Sequence, residues 1–230
     1  MSGGVEGLAW LNTKFANLSA DRPDIEFHFL PSHLSSDGGM TRNNHGLTEE
    51  VYNTLYRPLE GSNVFSLLVF LTRPDSRGQI RLASRNPFRP PVIKPGYFSD
   101  PRDMRVLVEG LKLGIKLIRT KAFRRYGGRL WSGARMPGCE RHQGWSDQYL
   151  ECLARHYTNT GYHHVGTAKM GPVTDNTAVV SPRLKVHGLK SLRVVDASVM
   201  PTVPSGNINA PTIMIAEKAS DMIKNDWSAV

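Results

Sequence analysis

Long hydrophobic runs are missing from this chain of 230 residues. The longest apolar stretch, residues 65–71, is much shorter than the ~20 residues that a helix needs to cross a bilayer. The opening sequence MSGGVEGLAW has neither the basic start nor the apolar core of a signal peptide. We therefore expect no membrane span. The composition, with 40% hydrophobic and 21% charged residues, is typical of a folded globular protein.

Cysteine is scarce, because the chain contains only Cys139 and Cys152. Two cysteines cannot build a disulfide framework, and they lack the partners that a zinc site needs. The HExxH motif of zinc hydrolases and the GxSxG motif of serine hydrolases are also absent. The pair allows one disulfide or two free thiols, and the sequence leaves both open. We predict no metal site.

Acidic residues are outnumbered, with 20 Asp and Glu against 29 Lys and Arg and a net charge of +9. Between Arg77 and Arg135, fifteen basic residues face three acidic ones. Such a surplus would suit nucleic acid, but the charges are spread among apolar residues and no nucleic-acid motif accompanies them. We therefore expect no nucleic-acid partner, and interpret the surplus as a solvated face or a surface for an acidic partner.

Several stretches have the period-two pattern of strands. Residues 25–30 alternate ahead of Pro31 and predict one strand. Residues 64–72 and 79–84 predict two more, and the turn-rich RPDSRG between them predicts a hairpin. The Gly-rich stretch MSGGVEGLAWLNTK shows no clear period and is predicted to be a loose lead-in. Together these patterns favour an antiparallel sheet.

The helical spacing of apolar residues, together with capping signals, predicts three helices. The first runs from Pro101 to Lys121 with Ser99 as its cap, and the second is a short helix capped by Ser146. The third closes the chain and has Pro211 in its first turn. Ahead of it, residues 192–195 predict a buried strand that ends at Asp196.

The stretch TGYHHVGTAKMG carries two adjacent histidines, His163 and His164. Neighbouring residues point in different directions in a strand or a helix, which argues against one metal ion held by both. A single histidine can serve as a general base near neutral pH, and the alternative is that both rings only fill or edge the core.

Further polar residues follow later in the chain. Asp196 ends the predicted strand, and the segment SGNINAPT runs directly into a helix start. A helix N-terminus presents free N–H groups and favours an anionic group against it. For Asn207 and Asn209 the alternative is ordinary loop and capping chemistry.

Taken together, the segments NPFRPPVIKPGYFSDPRDMRVLVEGLKLGIKLI, GYHHVGTAKMGP and SPRLKVHGLKSLRVVDASVMPTVPSGNINAPTIMIAEKASDMI resemble the C-terminal part of glucose–methanol–choline (GMC) oxidoreductases. Within that family the sequence is most similar to the insect glucose dehydrogenase branch. The resemblance extends from about residue 24 to residue 226. It implies a flavin adenine dinucleotide (FAD) cofactor that accepts hydride from an alcohol or sugar while a histidine takes the hydroxyl proton.

The resemblance also implies roles for particular residues. The catalytic histidine maps onto His163, which leaves His164 as a bystander, and a second active-site position maps onto Asn207. Cofactor contacts are implied for a turn and for the segment entering the last helix, namely Asp196, Ala197, Asn207, Ile208, Asn209 and Ala210. The helix after Pro211 would then stabilise reduced, anionic flavin.

The implied fold is α+β. An antiparallel sheet with helices forms a substrate-binding domain, and the C-terminal strand and helix belong to an FAD-binding α/β domain. We predict that residues 1–20 end the FAD-binding region, 21–185 form the substrate-binding domain, and 186–230 return to the FAD-binding domain. Relatives in this branch are often secreted, so a full-length parent is expected to be extracellular.

One family feature is missing, since the GxGxxG turn that holds the adenosine diphosphate part of FAD occurs nowhere in the chain. We therefore expect a C-terminal piece that needs an N-terminal FAD-binding half. The alternative function is a non-catalytic fragment or binding module of the same fold.

Overall fold

The computed structural model describes residues 4–40 and 45–228. The chain divides into two compact units. The first combines the residues up to Leu71 with Asp100–Gly161, and the second combines Thr72–Ser99 with the residues from Tyr162 onward. Among the described residues, no helix is both long and apolar enough to span a membrane.

The first unit contains a three-stranded antiparallel sheet. Its strands are β1 (Gly7–Leu11), β2 (Ile25–Leu30) and β3 (Ser66–Leu71), in that spatial order. The strand predicted at residues 25–30 is confirmed. The prediction of a loose lead-in is wrong at β1, where Ala9 lies opposite Phe27.

The sequence pattern does not reveal β1 because this strand carries apolar residues on both of its faces. Ala9 and Leu11 pack against the core around Ile25, whereas Leu8 and Trp10 are each 46% exposed. An alternation of inward and outward side chains is therefore present, but it is not an alternation of apolar and polar residues.

The described residues of the first unit also form four α-helices, namely α1 (Glu49–Leu55), α2 (Pro101–Ile118), α3 (Lys121–Arg125) and α4 (Asp147–Tyr157), and two short 3₁₀ helices, Leu18–Ala20 and Arg57–Leu59. The predicted helix from Pro101 is confirmed as α2, although its cap is Asp100 rather than Ser99, because the Asp100 carboxylate accepts from the amide of Arg102 at 2.8 Å. Ser146 caps α4 as predicted, accepting from the amide of Tyr149 at 3.3 Å.

Two glycines let α2 approach the sheet closely. A Cβ atom added at Gly110 would lie 2.6 Å from Cδ1 of Ile25, and one at Gly114 would lie 3.1 Å from a methyl group of Leu67. Ile25 is fully buried and shares a core cluster with Phe27 and Val106. The short glycine face of α2 therefore sets the distance between helix and sheet.

The second unit contains a separate pair of strands, β4 (Gln79–Arg81) and β5 (Val92–Lys94), which pair antiparallel with Ile80 opposite Ile93. The predicted hairpin between residues 64–72 and 79–84 is therefore wrong, since β3 pairs with β2 and β4 pairs with β5. The true partner of β4 lies within a proline-rich stretch. A Cβ atom at Gly78 would lie 2.4 Å from the carbonyl oxygen of Lys94, so this pairing depends on a glycine there.

The second unit is completed by α5 (Asn209–Trp227), the closing helix, which begins two residues ahead of Pro211. The strand predicted at residues 192–195 is not formed. An isolated bridge between Lys185 and Arg193 and a hydrogen bond from the amide of Val194 to the carbonyl of Leu184 take its place. The apolar residues 192–195 resemble a buried strand in sequence, but only Val194 and Val195 pack against the core, and Leu192 is 49% exposed.

Candidate active site

The residues predicted to act in catalysis and cofactor binding all lie in the second unit. They belong to three segments, 162–171, 196–200 and 205–211. Each of the first two segments contributes to one apolar cluster, through Met170 and Val199, and α5 contributes Ile215 and Ala219. This shared core supports the first two segments and the helix α5, into which the third segment runs.

His163 follows a residue with an unusual backbone. Tyr162 has a φ of 60°, in the left-handed region that non-glycine residues seldom adopt, and its side chain is 76% exposed. The Nδ1 atom of His163 is buried and has no hydrogen-bond partner among the described residues. A buried polar atom left unpaired is costly and calls for an explanation, such as a catalytic role or a water or ligand that completes the site. Asn53 Oδ1 and Arg193 Nε share this feature, so in His163 the position of the residue in the segment gives it meaning.

His164 has a different environment from its neighbour. It is exposed, and its Nε2 lies 3.3 Å from the hydroxyl of Tyr97. The two rings therefore do not share one set of partners, which agrees with the argument that adjacent histidines do not chelate a single ion.

Backbone hydrogen bonds join the histidine segment to the segment that follows Asp196. The amide of Ala168 donates to the carbonyl of Ser198 at 3.0 Å, and the amide of Met170 donates to the carbonyl of Val199 at 2.8 Å. Gly166, with a φ of 88°, permits the tight turn before this ladder. These bonds bring together two of the three predicted site segments.

Asp196 and Ala197 form the start of a short 3₁₀ helix, Ala197–Val199. One carboxylate oxygen of Asp196 accepts from the amide of Ser198 at 2.7 Å, and the side chain is exposed. In this structure its side chain therefore caps this turn, a contact that the sequence did not predict.

The third segment is held by a contact that is distant in sequence. The Nε of Arg73 donates to the hydroxyl of Ser205 at 2.8 Å. Beyond this anchor, Asn207 is exposed and Ile208 is half-buried ahead of α5. No sequence signal pointed to Arg73, because the two residues are 132 positions apart.

The N-terminus of α5 has no side-chain cap. The amide and the hydroxyl of Thr212 both donate to the carbonyl of Ile208, at 3.0 and 2.7 Å. The amides of Asn209 and Ala210 precede this first helical bond, and Pro211 has no N–H group. The positive end of the helix dipole thus lies at two exposed residues, Asn209 and Ala210.

The comparisons with known proteins agree with the resemblance. The sequence model of the family described as GMC oxidoreductase matches residues 74–216. This chain belongs to the GMC oxidoreductase family. It is 39% identical over 226 residues to the glucose dehydrogenase [FAD, quinone] of Drosophila pseudoobscura pseudoobscura, a match that covers 97% of this chain and 34% of the relative.

Two further comparisons extend this family match. Human mitochondrial choline dehydrogenase is 39% identical over 202 residues, covering 88% of this chain and 30% of the relative. In fold, the chain is similar to pyridoxine 4-oxidase from Mesorbium loti, with a TM-score of 0.69, 24% identity, and coverage of 95% of this chain and 37% of that one. The chain therefore spans about a third of the length of these three proteins, and the predicted α+β fold class is confirmed.

The far end of α5 in this GMC family member is fixed by an ion cluster around Asp226. Lys185 lies 2.7 Å from one carboxylate oxygen, Arg183 lies 2.6 Å from the other, and Arg193 also pairs with Asp226. The hydrogen bond from Lys185 is the main cause that holds the pKa of Asp226 well below its ordinary value, and Arg193 and Arg183 add to it. The sequence did not mark this cluster, because its members are dispersed along the chain.

Proposed function

We propose that this chain forms the substrate-binding part, and the last helix of the cofactor-binding part, of an FAD-dependent oxidoreductase that acts on the CH–OH group of alcohols or sugars. The observation that supports it most directly is the buried, unpaired Nδ1 of His163, in the segment joined by hydrogen bonds to the turn after Asp196. Membership of the GMC family and the names of the relatives support the same assignment.

His163 is proposed as the base that takes the hydroxyl proton of the substrate. An imidazole titrates near neutral pH and can therefore accept a proton under working conditions. The left-handed backbone of Tyr162 and the ladder through Ala168 limit how far His163 can move. A positioned base of this kind gains rate because the ring is oriented before the substrate arrives.

Asn207 is proposed to orient the substrate oxygen. An asparagine amide donates a hydrogen bond without competing for the proton, which suits an oxygen that gains negative charge as the proton leaves. The Arg73–Ser205 hydrogen bond limits the motion of the loop that carries Asn207.

The residues present fit a flavin at the N-terminus of α5. The turn at Asp196 and Ala197 and the entry segment of Ile208, Asn209 and Ala210 would hold it, with Asn207 at the border between cofactor and substrate. FAD, when bound, supplies the acceptor for the hydride. The uncapped first turn of α5 would stabilise negative charge on the cofactor through its N–H groups and dipole.

The substrate is proposed to be a small alcohol or sugar, because the relatives are named for glucose and choline. The remaining part of the site is proposed to come from a segment equivalent to the N-terminal half of those relatives. With it, residues 1–20 and 186–230 would complete an FAD-binding domain, and 21–185 would form the substrate-binding domain.

Flavin reduction under anaerobic conditions tests this function. The chain is produced within its longer parent, loaded with FAD, and mixed with glucose, choline and simple alcohols while the flavin absorbance is followed. We expect at least one of these compounds to bleach the flavin. A parent that binds FAD and is not bleached by any of them, or that binds no FAD, would favour the non-catalytic alternative.

A further inference from the structure

Three metal-ligating side chains meet in the first unit, apart from the proposed active site. Cys152 and His156 stand one turn apart on α4, and Cys139 comes from the loop that precedes this helix. In the structure the two cysteines are joined as a disulfide, with their Cα atoms 5.9 Å apart. One ligand atom from each of the three residues falls within 4.8 Å of the others.

The histidine nitrogen is placed symmetrically against both sulfur atoms. Nδ1 of His156 lies 3.6 Å from Sγ of Cys139 and 3.7 Å from Sγ of Cys152. In a tetrahedral zinc site, with Zn–S near 2.3 Å and Zn–N near 2.0–2.1 Å, a sulfur and a nitrogen ligand are separated by about 3.6 Å. The nitrogen-to-sulfur distances in the oxidised protein are thus those of a metal site, whereas the two sulfur atoms are bonded to each other and must move apart before an ion can bind between them.

The cluster lies at the protein surface, where an ion can reach it from solvent. Cys139 is fully buried, Cys152 is half-buried and His156 is exposed, so the cluster opens to solvent on one side. Gly138 adopts a φ of 84°, and a Cβ atom there would lie 3.1 Å from Nε2 of His156, so the glycine leaves space for the ring. Glu140, which accepts from the amide of Gly138 at 3.0 Å, brings an acidic group beside the cluster.

We propose that, once the disulfide is reduced, Cys139, Cys152 and His156 bind one Zn²⁺ ion, with water as the fourth ligand. A phosphine or dithiol reductant supplies two electrons, the sulfur–sulfur bond breaks, and each sulfur gains a proton. Binding of the ion then releases both thiol protons to solvent, since thiolates are the ligands. The imidazole stays neutral with its proton on Nε2, and Nδ1 gives up its 2.9 Å contact to the carbonyl of Cys152.

This arrangement would join the same loop to the same helix in both redox states. Under oxidising conditions the disulfide makes the link, and under reducing conditions the zinc ion would replace it. A disulfide that serves only as a cross-link does not require a histidine nitrogen against both sulfurs, so His156 is the residue that separates the two interpretations.

Cobalt is the probe for the test, because Co²⁺ in a tetrahedral site with thiolate ligands gives sulfur-to-metal charge-transfer bands. The full chain is reduced with a phosphine and titrated with Co²⁺, then with Zn²⁺. We expect 1:1 binding, displacement of Co²⁺ by Zn²⁺, and release of about two protons per ion. The oxidised chain should show none of these signals.

Two variants distinguish metal binding at the proposed site from adventitious binding elsewhere on the chain. His156→Ala should weaken Co²⁺ binding by at least about tenfold and leave the disulfide of the oxidised chain intact, because it removes one of three protein ligands. His45→Ala, which removes an exposed histidine outside the cluster, should bind like the parent. Equal binding by the His156→Ala variant, or by the oxidised chain, would overturn the proposal.

Circular dichroism of the helices is the control for unfolding of the chain when the disulfide is reduced. We expect the reduced chain either to keep its helical signal or to regain it when Zn²⁺ is added, since metal binding and folding are coupled. A reduced chain that is unfolded and stays unfolded with excess Zn²⁺ would also count against the site.

Discussion

The amide of Ala168 donates to the carbonyl of Ser198 at 3.0 Å, and this bond joins the histidine segment to the turn that begins at Asp196. The two residues belong to segments that the sequence presents as separate motifs. Their backbone pairing, continued by Met170 and Val199, places a proposed base and a proposed cofactor turn on one support. A site built on such a support holds its side chains more precisely than one on free loops.

Replacement of the proposed base tests the role of His163 against that of its neighbour. In the FAD-loaded parent, His163→Asn should lower the rate of flavin reduction by roughly 10²–10⁴-fold, which is the usual contribution of a general base. His164→Asn should change it little, because that ring is exposed and lies against Tyr97. Stopped-flow flavin absorbance measures both. Equal losses in the two variants would contradict the assignment of the base.

Close approach of α2 to the sheet makes Gly110 intolerant of substitution. Gly110→Ala should destabilise the chain by about 1–3 kcal/mol, because the new methyl group would meet Ile25 at 2.6 Å in the core. The effect opposes the higher helix propensity of alanine, which alone would favour the variant by up to ~1 kcal/mol. Urea unfolding measures the difference.

Gly114→Ala provides the matched control for that substitution. It lies one turn along α2 and meets a flexible methyl group of Leu67 at 3.1 Å, so its cost should be smaller than that of Gly110→Ala. If Gly114→Ala were the more damaging change, the proposed contact with Ile25 would not be what sets the distance between helix and sheet.

The Arg73–Ser205 hydrogen bond should produce an energetic coupling between two residues that are distant in sequence. Arg73→Ala, Ser205→Ala and the double variant form a thermodynamic cycle, and we expect a coupling energy of about 0.5–1.5 kcal/mol in unfolding free energy. Ser205→Thr, which keeps the hydroxyl, should retain most of it. A coupling of zero would show that the bond does not anchor the loop carrying Asn207.

Asp226 should make the stability of the chain depend on pH in the acid range. Its folded pKa lies below the ordinary value of 3.8, because Lys185 and then Arg193 and Arg183 favour the carboxylate. The stabilisation is thus complete above about pH 5, where both states are ionised, and is lost as the pH falls and the unfolded state takes up a proton first.

Paired unfolding experiments measure this pH dependence. Asp226→Asn should be less stable than the parent at pH 7, and the gap should shrink as the pH falls below about 4. Asp221→Asn, an exposed acid on the same helix, is the control and should show no comparable trend. A gap that is independent of pH would mean that the ion cluster contributes through packing rather than charge.

Local sequence signals were sufficient to predict several of the helices and strands. The helices α2 and α4 follow from apolar spacing, from Pro101 in a first turn and from the cap Ser146, although the cap predicted for α2, Ser99, was wrong by one residue. The strand β2 follows from its alternation and from Pro31. These features act within a few residues, so they are visible in the sequence. The family could also be predicted from motifs, because they are long and specific.

Pairing over long distances could not be predicted in the same way. The partner of β4 is hidden in a proline-rich stretch, and the apolar run at residues 192–195 forms no strand because its side chains divide between core and surface. The choice between one disulfide and two thiols was equally open until the loop and α4 placed Cys139 beside Cys152.

The long motifs and the family resemblance that they carry are enough to predict the family, the class of fold and the candidate residues, since a motif can be recognised from residue types alone. Tertiary packing decides what those residues can do. It leaves Nδ1 of His163 buried without a partner, turns His164 toward Tyr97, and brings His156 against two sulfur atoms. The contacts of His164 with Tyr97 and of His156 with Cys139 join residues that are 67 and 17 positions apart, and no local pattern records how their backbone segments pack.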